Sequence, residues 1–93
     1  MREIDILGIN YIIETYNPID NAEAMGRWLE KQSKIIVADG MKEDLTMQTI
    51  WHEVTHVILA CIGESELTNN EDFVTKLSGA LFQIADLRIK DKQ

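Results

Sequence analysis

The chain has 93 residues, of which 45% are hydrophobic and 27% charged, and its formal net charge is −7. This composition excludes a disordered chain and predicts one small globular domain over residues 1–93. The acidic balance argues against direct nucleic-acid binding. Because the N-terminus lacks a signal-peptide pattern and no apolar run approaches the roughly 20 residues that cross a bilayer, we expect a cytoplasmic protein without a membrane span.

The first half of the chain predicts a small antiparallel sheet of about three strands. Isoleucines and tyrosines alternate with polar residues over 3–16, and the alternation changes phase at Gly8, which predicts one bulged strand or two short strands. Residues 19–25 predict a helical turn or a loop. After Gly26, two apolar patches flank the polar residues 31–34 and predict a hairpin.

The second half predicts two helices. From about Asp44 the apolar residues recur at helical spacing as far as Gly63, a plausible stop. A second helix begins near Thr68, where the sequence TNNE has the form of a capping box. Cys61, the single cysteine, excludes an intramolecular disulfide and is expected to be an inert core residue. Strands followed by helices indicate the α+β class.

The only two histidines lie in the segment HEVTH, residues 52–56. Residues four apart on a helix share a face, so His52 and His56 can aim two ring nitrogens at one point, as a tetrahedral Zn²⁺ requires. Glu53 is rotated about 100° from His52 and can act as general base on a water that the metal acidifies. A metal-free helix is the alternative, but chance matches to H-E-x-x-H arise in on the order of a few per thousand chains.

A third ligand is needed, because catalytic zinc normally has three protein ligands and one open position. The chain has no third histidine, and Cys61 is rotated away on the same helix, which leaves a carboxylate. Glu71, early in the second helix, ranks first, although it can equally serve as the capping-box glutamate of Thr68. Asp72 ranks second as the third ligand, followed by Glu66 and Glu64.

The segment KIIVAD, residues 34–39, precedes the histidine helix and is the candidate edge strand. An extended peptide adds to an exposed sheet edge through main-chain hydrogen bonds. The alternative is that the segment forms only a wall of the core. Tyr11 and Tyr16 are conceivable oxyanion donors, but tyrosines in an isoleucine-rich strand are more often packing residues, which is what we expect.

The metal motif with its flanks, TIWHEVTHVIL, resembles the ImmA/IrrE-type zinc metallopeptidases, particularly the compact versions of phages and mobile elements. The segments ILGINYII, GRWLEKQSKIIVAD and NNEDFVTKLSGALFQI extend the resemblance along nearly the whole chain. The resemblance implies a minimal zincin fold with a small sheet, a metal helix and a ligand helix. It makes His52 and His56 zinc ligands and Glu53 the catalytic base, and it places the third ligand at Glu71, with Asp72 as the alternative.

The resemblance also implies a protein or peptide substrate, since characterised members of that family cleave helix-turn-helix repressors. The leading hypothesis is therefore a zinc-dependent endopeptidase. A rival hypothesis is a zinc-containing interaction module that binds a partner and cleaves nothing, which the small size and the acidity favour. The remaining hypothesis is a metal-free domain.

Overall fold

The structure is a computed structural model that describes residues 2–18 and 25–90, with side chains as far as residue 85. Four strands precede three helices: β1 (Arg2–Ile6), β2 (Ile9–Tyr16), β3 (Gly26–Leu29), β4 (Lys34–Ala38), α1 (Glu43–Cys61), α2 (Ser65–Thr68) and α3 (Glu71–Lys90). A short 3₁₀ turn, Glu30–Gln32, joins β3 to β4. The predicted α+β class is confirmed. Most of the predicted turn at 19–25 lies outside the described residues.

The sheet has the strand order β1-β2-β4-β3. The β1–β2 and β3–β4 pairs are antiparallel, whereas β2 and β4 run parallel, with Ile13 opposite Ile35. The sheet therefore has four strands where about three were predicted, and one of its three strand pairs is parallel where all were predicted to be antiparallel. After β2 the chain forms β3 at the far edge of the sheet and then turns back to form β4 between β2 and β3. Because the chain reverses its direction twice, β4 is parallel to β2.

The first hairpin turns at Leu7 and Gly8. Both residues have positive φ, 52° and 89°, and the Asp5 carboxylate accepts a hydrogen bond from the Gly8 amide at 2.9 Å. Two consecutive positive φ angles match the twist of a two-residue hairpin, and glycine adopts such an angle without strain. The phase change at Gly8 thus marks two strands, which was the second of the two predicted alternatives.

The core lies between the sheet and α1. Ile50, Val54 and Val57 of α1 are buried and belong to one cluster with the sheet residues Ile6, Tyr11, Ile13, Ile35 and Val37. The helix ends as predicted before Gly63, whose φ is 85°. Cys61 is exposed in the last turn of α1, so the expectation of a core cysteine is wrong. The last buried residue of this helix is Leu59. Among the described residues, no helix is long and apolar enough to cross a membrane.

Gly26 allows β3 to lie directly against α1. A Cβ atom at this position would lie 2.6 Å from the Thr49 Cγ2 atom, which is far inside van der Waals contact. We expect Gly26→Ala to lower the free energy of unfolding by about 1–3 kcal/mol, as overpacking does. Thr49→Ser removes the clashing methyl and keeps the hydroxyl that donates to the Leu45 carbonyl, so the double variant should regain most of the loss. Urea unfolding measures both, and an unaffected Gly26→Ala variant would contradict this close approach.

Candidate metal centre and cleft

The two histidines of α1 lie on the face that packs against α3. Their ring centroids are 5.0 Å apart, with an angle of 70° between the ring planes. The Nε2 atom of His52 lies 2.9 Å from one carboxylate oxygen of Glu71, and the Nε2 atom of His56 lies 3.0 Å from the other. The structure therefore brings His52, His56 and the first-ranked acid together at one point.

Glu71 is free to face the histidines because another residue caps its helix. Asn70 Oδ1 accepts a hydrogen bond from the Phe73 amide at 3.1 Å, and the Asn70 carbonyl accepts one from the Val74 amide at 3.0 Å. Asn70 is thus the N-cap of α3. The predicted capping box between Thr68 and Glu71 is wrong, because Thr68 belongs to the separate short helix α2.

The other predicted acids do not join this group. Asp72, the alternative third ligand, is exposed and forms an ion pair with Lys76, with 3.1 Å between Oδ2 and Nζ. Glu64 and Glu66 are exposed in and beside α2. In the described part of the chain, the only cluster of three potential ligands is His52, His56 and Glu71, whose ligand atoms lie within 4.8 Å of one another.

Thr68 holds His56 through two hydrogen bonds. Its hydroxyl oxygen lies 3.0 Å from the His56 carbonyl oxygen and 3.1 Å from His56 Nδ1. A carbonyl cannot donate, so the single hydroxyl proton goes to the carbonyl and the Nδ1–H of the ring donates to the hydroxyl. The Nε2 atom of neutral His56 is consequently unprotonated and carries its lone pair toward Glu71.

This arrangement fits a bound zinc ion. A lone pair on His56 Nε2 facing a carboxylate oxygen at 3.0 Å is repulsive unless a proton or a cation lies between them. Two imidazole nitrogens and one carboxylate form a known catalytic zinc donor set, and bonds of about 2.0–2.1 Å place tetrahedral ligand atoms about 3.3 Å apart. The separations of 2.9 and 3.0 Å involve different oxygens of Glu71 and need only a slight expansion, and one ligand atom from each of the three residues lies within 4.8 Å of the others.

Thr68→Val should weaken zinc binding by about 10–100-fold, the usual effect of losing a hydrogen-bond partner of a ligating histidine. Valine keeps the side-chain shape of threonine but cannot orient His56 or fix its tautomer. A competition titration with a coloured chelator measures the change. Thr75→Val, on the cleft face of α3, provides a matched control because no described hydrogen bond joins Thr75 to a histidine. Equal zinc affinity in the two variants would contradict the role of Thr68.

Glu53 lies on the same cleft, next to β3 rather than among the ligand atoms. Its Oε2 atom is 3.5 Å from the position that a Cβ on Gly26 would occupy. Burial raises the pKa of the Glu53 carboxyl; His56 lowers it and Glu71 raises it further. Glu53 therefore borders the cleft with a raised proton affinity.

The raised pKa of Glu53 predicts a stability effect in the metal-free protein. Because the folded state holds the Glu53 proton more tightly than the unfolded state, stability falls as the pH rises from the ordinary glutamate pKa through the raised one. Metal-free Glu53→Gln should thus be more stable than the wild type at neutral pH, and this gain should vanish below the ordinary pKa. Chemical unfolding across that pH range tests the effect, and a gain that persists in acid would contradict it.

An open cleft of about 880 Å³ lies in front of the ligand atoms, bordered by β3, α1 and α3. The strand beside it is β3, at the edge of the sheet, whereas β4 lies between β2 and β3. Of the two alternatives for residues 34–39, the exposed edge is therefore wrong and the wall of the core is confirmed. Both strands belong to the predicted hairpin, and the parallel pairing of β4 with β2 buries the strand that precedes the helix.

The free side of β3 has a defined set of main-chain groups. The Ala38 amide donates to the Met25 carbonyl at 2.8 Å, which makes Met25 and Ala38 a hydrogen-bonded pair. Hydrogen-bonded and non-hydrogen-bonded pairs alternate along an antiparallel ladder. Gly26 and Trp28 therefore direct their N–H and C=O groups away from β4, toward the side of β3 on which no described strand lies.

The two tyrosines do not border this cleft. Tyr11 is buried in the core on the helix side of the sheet, and Tyr16 is half-buried with its hydroxyl inaccessible to solvent. The expectation that these tyrosines are packing residues agrees with this placement.

Comparisons with known proteins add no family assignment. No protein-family model, no curated protein and no solved structure matches this chain.

Proposed function

We propose that the chain is a zinc-dependent endopeptidase that cleaves extended segments of protein substrates in the cytoplasm. The observation that carries the proposal is the meeting of His52, His56 and Glu71 at one point of an open cleft. Glu53, the remaining member of the sequence motif, borders the same cleft. Two imidazoles, one carboxylate ligand and a second carboxylate as base are the minimum set for metal-assisted peptide hydrolysis.

The three converging side chains would hold the metal, with Thr68 fixing one of them. Bound zinc supplies a Lewis acid that polarises the scissile carbonyl and lowers the pKa of a water. The exposed carboxylate of Glu71 allows the metal to enter from solvent, since 68% of its side-chain surface is accessible. His56 is the more buried of the two histidines and is held in the ligating tautomer before the metal arrives.

Glu53 performs the proton transfers. Its carboxylate accepts a proton from the attacking water and returns it to the nitrogen of the departing amine. A base with a raised pKa does both more readily than an ordinary glutamate, since it holds the proton more firmly yet still releases it. Because Glu53 lies beside Gly26, its carboxylate would be close to a peptide docked along β3.

The free edge of β3 would position the substrate. An extended peptide adds to this edge as a further strand, pairing with the main-chain groups of Gly26 and Trp28. Gly26 keeps this strand close to α1, so the added peptide lies near the metal ligands and Glu53. Recognition through main-chain groups places few demands on the substrate sequence but requires an unfolded or loop segment.

The proposed substrate class is a helix-turn-helix repressor, as the family resemblance implies. The formal net charge of −7 favours encounter with the basic surface of a DNA-binding protein. Such an encounter accelerates association and is weakened by salt. The same attraction would serve a non-catalytic interaction module, so the test must separate cleavage from binding.

The test is incubation of the zinc-loaded protein with purified repressors and with an unfolded labelled protein. We expect fragments to appear, to stop appearing after chelation and to appear again when zinc is restored. Intact substrate together with a stable complex that survives chelation would reject the endopeptidase and support the interaction module. The absence of both zinc uptake and complex formation would support the metal-free domain.

A further inference from the structure

The cleft extends well beyond the metal ligands, toward the start of α1 and the middle of α3. Leu45 precedes His52 by two helical turns, about 10 Å along the axis of α1. Gly79 follows Glu71 by about 12 Å along the axis of α3. Both residues border the cleft together with Phe82. The far end is therefore a separate region of the same cleft.

Small side chains on α3 create the space at this end. Thr75, Ser78 and Gly79 lie on the face of α3 that borders the cleft. A Cβ atom added to Gly79 would meet nothing within 4 Å, so the volume above this residue is open. Glycine inside a helix costs about 1 kcal/mol relative to alanine, and nothing in the backbone of α3 requires one here.

Apolar side chains surround this open volume. Met25 and Leu45 are 56% and 39% exposed, and the half-buried rings of Trp28 and Phe82 also border the cleft. Exposed apolar residues that converge on a concave surface are typical of a binding site for an apolar group. The described charged residues that border the cleft are Arg27, Glu53 and Glu71, and none of them lies on α1 before His52 or on α3 after Glu71.

We infer that the far end of the cleft is a subsite for one large apolar side chain of the substrate, such as leucine, methionine or phenylalanine. The inference rests on the proposed endopeptidase function. A docked strand advances about 3.3 Å per residue, so a region about 10–12 Å from the metal ligands receives a residue about three positions from the scissile bond. Side chains paired with Gly26 and Trp28 share their face of the sheet and point into the cleft.

The test uses end-blocked random dodecapeptides and zinc-loaded protein. Peptides retained by Glu53→Gln, which binds without cutting, are sequenced by mass spectrometry, as are the fragments that the wild type releases. We expect a large apolar residue to be enriched about three positions from the cut. Gly79→Leu fills the subsite with its own side chain and should lower binding of the enriched peptides by at least about tenfold.

Ala80→Leu is the matched control, because Ala80 lies beside Gly79 on α3 but is exposed and does not border the cleft. Its zinc content, helicity and peptide binding should equal those of the wild type. Cleavage without an apolar preference, or undiminished binding by Gly79→Leu, would overturn the subsite and leave the endopeptidase intact. Apolar-selective binding that Gly79→Leu abolishes, with no cleavage by the wild type, would support the subsite and reject the endopeptidase. A protein that binds no peptide would reject both.

Discussion

Replacing Glu53 by glutamine is expected to lower the rate of peptide hydrolysis by about 10²–10⁴-fold, the contribution typical of a general acid–base group. Glutamine has nearly the shape of glutamate but cannot take a proton from water. Because Glu53 is not among the three clustered ligand residues, the variant should bind zinc as the wild type does. Steady-state cleavage of a quenched fluorescent peptide, together with metal analysis of the same sample, measures both quantities.

Glu66→Gln is the matched control for this experiment. Glu66 is an exposed glutamate of α2 and the same charge is removed, but it is not part of the ligand cluster. Its activity should lie within about twofold of the wild type. If Glu53→Gln retained full activity with one zinc bound, the assignment of the base would be wrong, even if the metal site were correct.

Replacing Glu71 by alanine should weaken zinc binding by more than about 100-fold, beyond the usual effect of losing a group that only supports a ligand. Two histidines would remain, which is one protein ligand fewer than catalytic zinc sites ordinarily have. Cleavage at limiting zinc should fall in parallel. A competition titration with a chelator of known affinity measures the loss directly.

Asp72→Ala is the control for Glu71→Ala, because the two acids are adjacent in the first turn of α3. Asp72 is paired with Lys76 on the exposed side of the helix, so its loss should change zinc affinity by less than about threefold. A larger effect at Asp72 than at Glu71 would reverse the ligand assignment. Comparing neighbours also removes the general effect of an acid on the dipole of α3, since both variants lose one negative charge from the same turn.

The predictions from sequence were most successful where the relevant spacing is local. The four-residue interval between His52 and His56 determines a shared face on any helix, and α1 forms over the predicted segment. The two-strand alternative at Gly8 was also within reach, because a hairpin turn depends on two adjacent residues. Periodicity and turn chemistry both operate over a few residues, so a single sequence carries them.

The errors concern contacts between segments that are distant along the chain. Nothing in residues 34–39 shows that this strand pairs with β2 on one side and β3 on the other, so the sequence does not decide between an edge strand and a wall of the core. The capping of α3 is a local exception: the spacing between Thr68 and Glu71 predicts a capping box, but Asn70 offers an equally good side chain and caps the helix. Thr68 instead contacts His56, twelve residues earlier, through the packing of α2 on α1.

The position of Glu71 depends both on local spacing and on contacts between distant segments. The sequence predicts that the third ligand is an acid near the start of the helix that follows the histidines. Glu71 and Asp72 are both at such a position. The choice between them depends on the rotation of α3 about its axis. Packing against α1 determines that rotation and turns Glu71 toward the histidines, while Asp72 faces Lys76. A rotation of α3 by about 100°, the angle between successive residues, would turn Asp72 toward the histidines and Glu71 away from them.

Anomalous diffraction at the zinc absorption edge, from crystals grown with zinc, would test the central claim most directly. We predict one strong peak about 2.0–2.2 Å from the Nε2 atoms of His52 and His56 and from a carboxylate oxygen of Glu71. A peak held by other residues would contradict this account of the site. So would zinc bound to the two histidines with the Glu71 carboxylate turned away.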